Sequence, residues 1–199
     1  MVLRGVSWAF YQQMLAEAGG GHTRFTFDQG NLEIMSPSPR HEAVKTILAR
    51  LIEAYADEMD IEMEGFGSAT FGREDLQKGL EPDECYYVQN VNAVKGRQEF
   101  DFSVDPPPDL AIGIDISPPD VARQPIYSAL GVPEIWKYDG NQIRFLQRTP
   151  EGRYVAADRS FAFVGLLASE LNRFLQIALV EGQSAAVRAL RAWRRGPAS

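Results

Sequence analysis

The segment from Asp109 to Ser117 carries two carboxylates at a spacing that suits the binding of a cation. Successive side chains of a strand point to opposite sides, so Asp109 and Asp115 share one side, while leucine and isoleucine occupy the other. Two carboxylates on one face repel each other unless a positive group lies near them, and hard oxygen ligands suit magnesium or manganese. Taken alone, however, the segment is more typical of a half-exposed strand whose polar side meets water.

The length and composition predict an ordinary globular protein. The chain of 199 residues is long enough for one domain with a substantial core, and we predict a single domain over 1–199. Its single cysteine, Cys85, excludes an intrachain disulfide and fits a reducing cytoplasm. Because no signal peptide and no apolar run of membrane-spanning length is recognisable, we expect a cytoplasmic protein without a membrane partner.

The net charge of −7 requires any nucleic-acid chemistry to use a locally basic surface. Such a surface is predicted near the C-terminus, where arginines alternate with Leu190 and Trp193 in a basic amphipathic helix. The arginines are Arg188, Arg191, Arg194 and Arg195. Two interpretations are equally open: this helix binds a nucleic-acid backbone, or it docks on the acidic body of the protein.

Hydrophobic periodicity and turn residues predict a mixed order of helices and strands. The predicted helices cover 8–18, 40–58, 121–130, 166–181 and 183–195. The predicted strands cover 23–28, 32–35, 61–71, 80–89, 109–117, 134–138, 142–148 and 153–158. Ser7 and Asp120 are the expected N-caps of the first and third helices. This order implies an α/β protein, or α+β sandwich, with a mixed central sheet flanked by helices.

Five short segments occur in an order that is similar to a known nuclease family. They are LEIMSP at 32–37, RHE at 40–42, EPD at 81–83, PPDL at 107–110 and GVPEIW at 131–136. With these segments the chain resembles the Uma-type family of bacterial putative restriction endonucleases, in the PD-(D/E)xK nuclease superfamily. The resemblance implies a restriction-endonuclease-like core over 8–165, with 166–199 as a C-terminal helical extension.

The resemblance also implies a role for individual residues. Asp83 would be the first metal ligand, and Asp115 would be the second acidic ligand. Gly113 stands where the family typically has a glutamate, and Arg123 stands where a lysine is expected near the metal. Arginine keeps the charge but cannot act as a compact ammonium group. His41 or Glu42, at the start of the second predicted helix, would reach the same site as a further ligand or proton carrier. The implied catalytic residues are therefore Asp83, Asp115, Arg123, Glu42 and His41, and the implied metal ligands are Asp83 and Asp115.

The resemblance implies a metal-dependent DNA endonuclease with an altered motif, using Mg²⁺ or Mn²⁺ to activate water. A second interpretation is a catalytically degraded member that binds nucleic acid or a protein partner, and Gly113 is its main support. A structural or sugar-binding sandwich would follow only if the resemblance failed. Homodimerisation is consistent with the superfamily, but no residue requires it.

Structural interpretations compete at several of these positions. Asp109 follows three prolines and fits a role in fixing the start of its strand better than a role as a ligand. His41 fits a helix cap or a solvent-facing residue, and Glu42 is favourable at a helix N-terminus for electrostatic reasons alone. A solitary cysteine such as Cys85 is more often a packing residue than a reactive one.

Overall fold

The computed structural model describes residues 1–19, 21, 23–97 and 100–196. The helices are α1 (Trp8–Ala18), α2 (Pro39–Met59), α3 (Val91–Val94), α4 (Gln124–Ala129), α5 (Ala168–Glu181) and α6 (Gln183–Arg195). The first strands are β1 (Val2–Arg4), β2 (Arg24–Asp28), β3 (Asn31–Met35), β4 (Glu64–Gly65), β5 (Phe71–Arg73) and β6 (Lys78–Leu80). The later strands are β7 (Glu84–Tyr87), β8 (Leu110–Ile114), β9 (Glu134–Tyr138), β10 (Ile143–Arg148) and β11 (Tyr154–Ala157).

The strands form two sheets. One is antiparallel, with the order β1-β3-β2-β6-β5, and the other has the order β11-β10-β9-β8-β7-β4. The second sheet is mixed, because β8 and β9 run parallel while its other neighbours run antiparallel. The α4 helix lies in the connection between the two parallel strands. The predicted α/β class with a mixed sheet flanked by helices is therefore confirmed.

Helices cover both faces of the mixed sheet because its central strands are apolar on both sides. Ile112 and Trp136 face the core formed with α2, α5 and α6. Ala111 and Ile135 face the opposite side, where Ile126 of α4 packs on them. The first of these cores buries a continuous set of side chains from α2, whose stripe was predicted from helical spacing.

The α2 helix has clear start and stop signals, and it positions residues that matter below. The Ser38 side chain caps it by accepting a hydrogen bond from the backbone N–H of His41 at 3.2 Å, and Pro39 occupies the first turn. The helix ends at Asp60, which adopts a left-handed conformation with φ of 53°. In the same way Ser7 caps α1, as predicted.

The C-terminal helices α5 and α6 pack against each other and against α2. Leu190 and Ala186 of α6 are buried, and Trp193 contacts the rings of Tyr55 and Phe174. Their apolar side chains belong to the same core as those of α2. The division into a core over 8–165 and an extension over 166–199 stays a prediction. Within the described parts of the chain, every helix is too short or too polar to cross a membrane.

The predicted strand over 61–71 and the predicted helix over 121–130 differ from the structure for identifiable reasons. The strand expected over 61–71 is reduced to β4 and the start of β5, because Gly67 adopts a left-handed conformation with φ of 55°. The helix expected over 121–130 begins only at Gln124, with Arg123 rather than Asp120 as its N-cap. Pro125 explains this start, since proline fits the first turn of a helix but breaks its interior. The short elements β1 and α3 were not predicted, and β6 shares only Leu80 with the strand predicted over 80–89, whose remainder is β7.

Cys85 lies on β7 and is fully buried. Burial, and then the neighbouring Glu84, raises the pKa of its thiol to about 12. The thiol is therefore protonated at neutral pH, in agreement with a packing role.

Candidate active site

Three neighbouring strands place residues 83, 113 and 137 side by side in the mixed sheet. Lys137 on β9 is the register partner of Gly113 on β8. On the other side of β8, Glu84 pairs with Ile112, and extending this register by one residue places Asp83 opposite Gly113. Residues directly opposite each other in neighbouring strands share a face. The acidic side chain of Asp83 and the basic side chain of Lys137 therefore lie on either side of Gly113, which has no side chain.

Asp83 is buried, with 2% of its surface exposed, and both of its oxygens have a partner. Oδ2 accepts a 2.6 Å hydrogen bond from the backbone N–H of Ile114. Oδ1 lies 3.0 Å from Nε2 of His41, although the two atoms are not aligned as a well-formed hydrogen bond. The other ring nitrogen of His41, Nδ1, lies 3.2 Å from Oε1 of Glu42. The first turn of α2 thus brings His41 to Asp83 and Glu42 to His41.

The surroundings of His41 favour its charged form. Burial disfavours the imidazolium, but Asp83 and then Glu42 outweigh this effect, so the pKa of His41 is raised above its ordinary value. The arrangement is a chain of carboxylate, imidazole and carboxylate, in which Asp83 and His41 are buried and the Glu42 side chain is 39% exposed. Such a chain can hold a proton at a fixed position beside Asp83.

Asp115 follows β8 directly, and its backbone N–H continues the parallel pairing by donating to the carbonyl of Tyr138 at 2.8 Å. Its side chain is 8% exposed. Oδ1 lies 3.0 Å from Nη1 of Arg123, and Oδ2 lies 3.1 Å from Nζ of Lys137. Each oxygen of this carboxylate therefore has a basic partner of its own.

Arg123 is largely buried where the two sheets meet. Its side chain is 10% exposed, and with Glu33 of β3 and Asp115 it lines a cleft of about 200 Å³. One oxygen of Glu33 accepts a 2.9 Å hydrogen bond from the backbone N–H of Asp120, whereas its other oxygen, Oε2, is buried without a hydrogen-bond partner in the described residues. Burial disfavours the charged guanidinium, but Asp115 and other acidic groups outweigh it, so the pKa of Arg123 is raised.

A larger pocket of about 440 Å³ opens over Gly113. Its polar lining includes Asp115, Arg123 and Lys137, and its apolar wall includes Ile135. A Cβ atom placed on Gly113 would meet no heavy atom within 4 Å beyond its chain neighbours. Packing therefore does not require glycine at this position. The pocket has room for a side chain at position 113.

The positions of the carboxylates do not fit a divalent ion. Over residues 1–19, 21, 23–97 and 100–196, no three His, Cys, Asp or Glu residues are grouped closely enough to hold a metal. The oxygens of Asp83 are engaged by His41 and the backbone of Ile114, and those of Asp115 are engaged by Arg123 and Lys137. The structure brings together the residues predicted for catalysis but pairs them with basic groups.

Asp109 has a structural role in this structure. It is 2% exposed, and its Oδ2 accepts hydrogen bonds from the backbone N–H groups of Val88 at 2.7 Å and Asn90 at 3.0 Å. Its Oδ1 accepts from the Asn90 side chain at 2.7 Å. These contacts fix the start of β8, as the structural interpretation expected.

The arginines of α6 lie far from this site along α2. Nε of Arg191 and Nη2 of Arg195 lie 3.3 and 2.8 Å from Oε1 of Glu58, and the Arg194 guanidinium lies over the ring of Tyr55. Glu58 is 17 residues beyond His41 on α2, which corresponds to about 26 Å of helix. Docking on the acidic body is therefore observed for these arginines. A nucleic-acid role for Arg188, Arg191, Arg194 and Arg195 stays a prediction.

Sequence reasoning missed three buried or partly buried charged residues. Lys137 had a weak signal, since it is the basic residue in the otherwise apolar strand IWKY and shares a face with Ile135. Glu33 is the acidic residue between Leu32 and Ile34, which is typical of a strand with one polar side. Glu134 lies within GVPEIW. Only the structure shows that this residue is fully buried, with 0% of its surface exposed.

Comparison with known proteins agrees with the resemblance. The sequence model of the Uma2 family, described as putative restriction endonuclease, matches residues 8–180. The chain belongs to the Uma2 family. Among solved structures, it is similar to one described as a putative nuclease belonging to DUF820 from Anabaena variabilis, at 18% identity and a TM-score of 0.45. That match covers 85% of this chain and 90% of the other.

Comparison with curated proteins finds no match. The Uma2 match contains every residue of the site, from Glu33 of β3 to Lys137 of β9. It also contains α2 and most of α5.

Proposed function

We propose that this Uma2 protein acts on DNA, and that it binds one phosphodiester of the backbone at the end of β8. The proposal is supported by family membership and by two basic side chains, Arg123 and Lys137, that line an open pocket beside Asp115. A phosphate can replace the Asp115 carboxylate as the partner of both groups. Arginine binds such oxygens in pairs, and lysine binds them as a point charge.

Lys137 is the residue that carries this proposal. Its side chain is 38% exposed, so a ligand can reach it, whereas Arg123 is 10% exposed and lies deeper. The pocket volume of about 440 Å³ leaves room above Gly113 for a phosphate and its attached sugar. His41 lies at 3.0 Å from Asp83, and its raised pKa makes it a group that can add positive charge to the same region.

Binding without efficient hydrolysis is the function that this geometry supports best. Asp115 is neutralised by its two partners, and position 113 contributes no carboxylate. The second candidate is an endonuclease that uses Mg²⁺ or Mn²⁺, and the family description favours it. When bound, such an ion would lower the pKa of a water molecule and stabilise charge on the phosphate.

Fluorescence anisotropy with a labelled DNA duplex in EDTA tests the binding step. Replacing Lys137 with Met should weaken binding by about tenfold, which corresponds to about 1.4 kcal/mol. Lys95→Met is the matched control, because Lys95 is exposed and pairs with Glu62 outside the site. Equal affinities of the wild type and Lys137→Met would contradict the proposed phosphate contact.

Incubation of supercoiled plasmid with the protein and Mg²⁺ or Mn²⁺ separates the two candidates. An intact plasmid beside measurable DNA binding supports a binding protein. Nicking that is lost in the Asp83→Asn variant supports an endonuclease. Absence of both binding and nicking contradicts both functions.

A further inference from the structure

The pocket over Gly113 is larger than one phosphodiester group requires. Its volume is about 440 Å³. A water molecule takes up roughly 30 Å³ in the liquid, so this space corresponds to on the order of ten waters. Pockets of about 300–1,000 Å³ are typical of sites for small organic ligands. A phosphate held by Arg123 and Lys137 therefore uses only part of the space, and the rest is available to another part of the ligand.

The pocket lies between the mixed sheet and the chain that leads into α4. Gly113 and Lys137 are on the side of the sheet on which Ile135 packs against α4. Much of the remaining lining comes from the connection before α4 and from α4 itself, and it includes Pro119 and Pro125. Pro119 is partly exposed and Pro125 is exposed, so their apolar surfaces are accessible to a ligand. A flat apolar group that enters this space would be shielded from water.

Two buried polar atoms of the lining residues have no hydrogen-bond partner among the described residues. They are the hydroxyl of Tyr127 and Nε of Arg123. Tyr127 is 3% exposed and the Arg123 side chain is 10% exposed, so bulk water solvates these atoms poorly. Both atoms can donate a hydrogen bond, and a buried donor without a partner is unfavourable. A ligand that brings an oxygen or nitrogen acceptor, directly or through a bridging water, would satisfy them.

We propose that this pocket receives one unpaired nucleobase, and that the protein prefers DNA in which a nucleotide lies outside the base stack. A base has apolar faces for the walls and acceptor atoms on its edge for the two donors. In a paired duplex the bases stay inside the stack, and extruding one costs least where it is mismatched or unpaired. The inference rests on the proposed function, because Arg123 and Lys137 hold the phosphate of the same nucleotide.

Glycine at position 113 keeps this space open. A Cβ atom there would meet no heavy atom within 4 Å beyond its chain neighbours, so a longer side chain would extend into the pocket. Gly113 is not among the residues with a left-handed backbone, so other residues can adopt its conformation. The variant Gly113→Leu should therefore fill the pocket and leave Arg123 and Lys137 in place.

Fluorescence anisotropy in EDTA tests the proposal with three labelled DNA duplexes that are otherwise identical. The first is fully paired, the second carries one bulged thymidine, and the third carries an abasic residue at the bulge. Wild-type protein should bind the thymidine bulge about tenfold more tightly than the paired duplex. It should bind the abasic bulge no more tightly than the paired duplex, because the base is missing there while the backbone remains flexible.

Gly113→Leu should bind all three duplexes as tightly as the wild type binds the paired one. Ala9→Leu is the matched control and should keep the preference, because Ala9 is exposed on α1 outside the pocket. A second readout uses 2-aminopurine as the bulged base. Its fluorescence should be protected from quenching by acrylamide in the complex with the wild type, and exposed to quenching in the complex with Gly113→Leu.

Equal affinities of the wild type for the three duplexes overturn the proposal, and so does an abasic bulge that binds as tightly as the thymidine bulge. A base preference that survives in Gly113→Leu overturns it as well. The variant Lys137→Met judges the phosphate contact separately. If it weakens binding to the paired duplex while the wild type shows no base preference, only the base pocket fails. If it binds the paired duplex as tightly as the wild type, the proposed function itself fails.

Discussion

The contact between His41 and Asp83 makes the stability of the protein depend on pH. The folded-state pKa of His41 is raised, because Asp83 and Glu42 outweigh the effect of burial. A raised histidine pKa contributes stability that is fully present below the unfolded value of about 6.5 and is lost as the pH rises through the folded value.

Replacing His41 with Gln should therefore destabilise the protein more at pH 6 than at pH 9. Removing one member of a buried ion pair costs about 3–5 kcal/mol, and we expect the loss at pH 6 to approach this range. Urea unfolding at the two pH values measures the difference. Glu42→Gln leaves Asp83 in place and should show a smaller pH dependence than His41→Gln. An equal loss at pH 6 and pH 9 would show that the pKa of His41 is not raised in the folded protein, and a smaller loss at pH 6 would show that folding lowers it.

At the level of single residues, the two acidic positions of the site could be predicted from the sequence. Strand parity places Asp115 on the polar side of its strand, and the resemblance identifies Asp83. Glu33 could not be predicted, because it comes from the other sheet and no spacing along the chain connects residues 33 and 115. Lys137 could not be predicted either, since its position depends on the register between β8 and β9.

Glu134 connects two elements, and its loss should destabilise the protein without changing the site chemistry. It lies fully buried on β9 and accepts hydrogen bonds from the backbone N–H groups of Phe161 at 2.8 Å and Ala162 at 2.7 Å. Its carboxylate also accepts from Ser160 Oγ at 3.1 Å and Trp136 Nε1 at 2.9 Å. The carboxylate thus fixes the segment that leads from β11 to α5.

Glu134→Gln should lower the free energy of unfolding by about 3 kcal/mol. The amide group brings an N–H₂ towards groups that already donate, and hydrogen bonds to a charged acceptor are worth about 1.5–3 kcal/mol each. The urea midpoint of unfolding measures the change. The control is Glu151→Gln, at an exposed turn, which should leave the midpoint unchanged. A midpoint for Glu134→Gln equal to that of the control would mean that the segment is held by other contacts.

At the level of elements, local signals predicted the helices well where their first turns carry recognisable residues. Ser7 caps α1, as the sequence predicted. The predicted start of α4 was wrong because Asp120 was taken as the N-cap. Pro125 fits only the first turn of a helix, so the helix begins at Gln124. The predicted strand over 61–71 was wrong because Gly67 adopts a left-handed conformation that interrupts the extended chain. The sequence alone does not show which φ a glycine adopts.

The acidic protein as a whole should bind DNA with a weak dependence on salt. The net charge of −7 repels a DNA backbone, so only local basic groups contribute counterion release. If Arg123 and Lys137 are the phosphate contacts, the slope of log affinity against log salt should be about −2. Anisotropy titrations over a range of salt concentrations measure this slope.

A slope near −5 would mean instead that arginines of α6 join the interface. In that case Arg188→Ala, which changes an exposed arginine of α6, should make the slope less steep. If α6 only docks on α2, the same change should leave the slope as it is.

At the level of the whole molecule, the class of the fold could be predicted but the separation into two sheets could not. The order of elements favours a mixed sheet with helices on its faces. The pairing of β2 with β6, such as Asp28 with Lys78, joins residues 50 positions apart. Such long-range pairing depends on packing between elements, and local periodicity does not encode it.

The buried thiol of Cys85 has a practical consequence for spectroscopy. It is the only cysteine of the chain, and its pKa of about 12 keeps it unreactive towards alkylating probes near neutral pH. A cysteine introduced elsewhere can thus be labelled selectively without removing a native one. Placed at position 113, where the pocket is open, a small fluorophore would report directly on whether the pocket is filled.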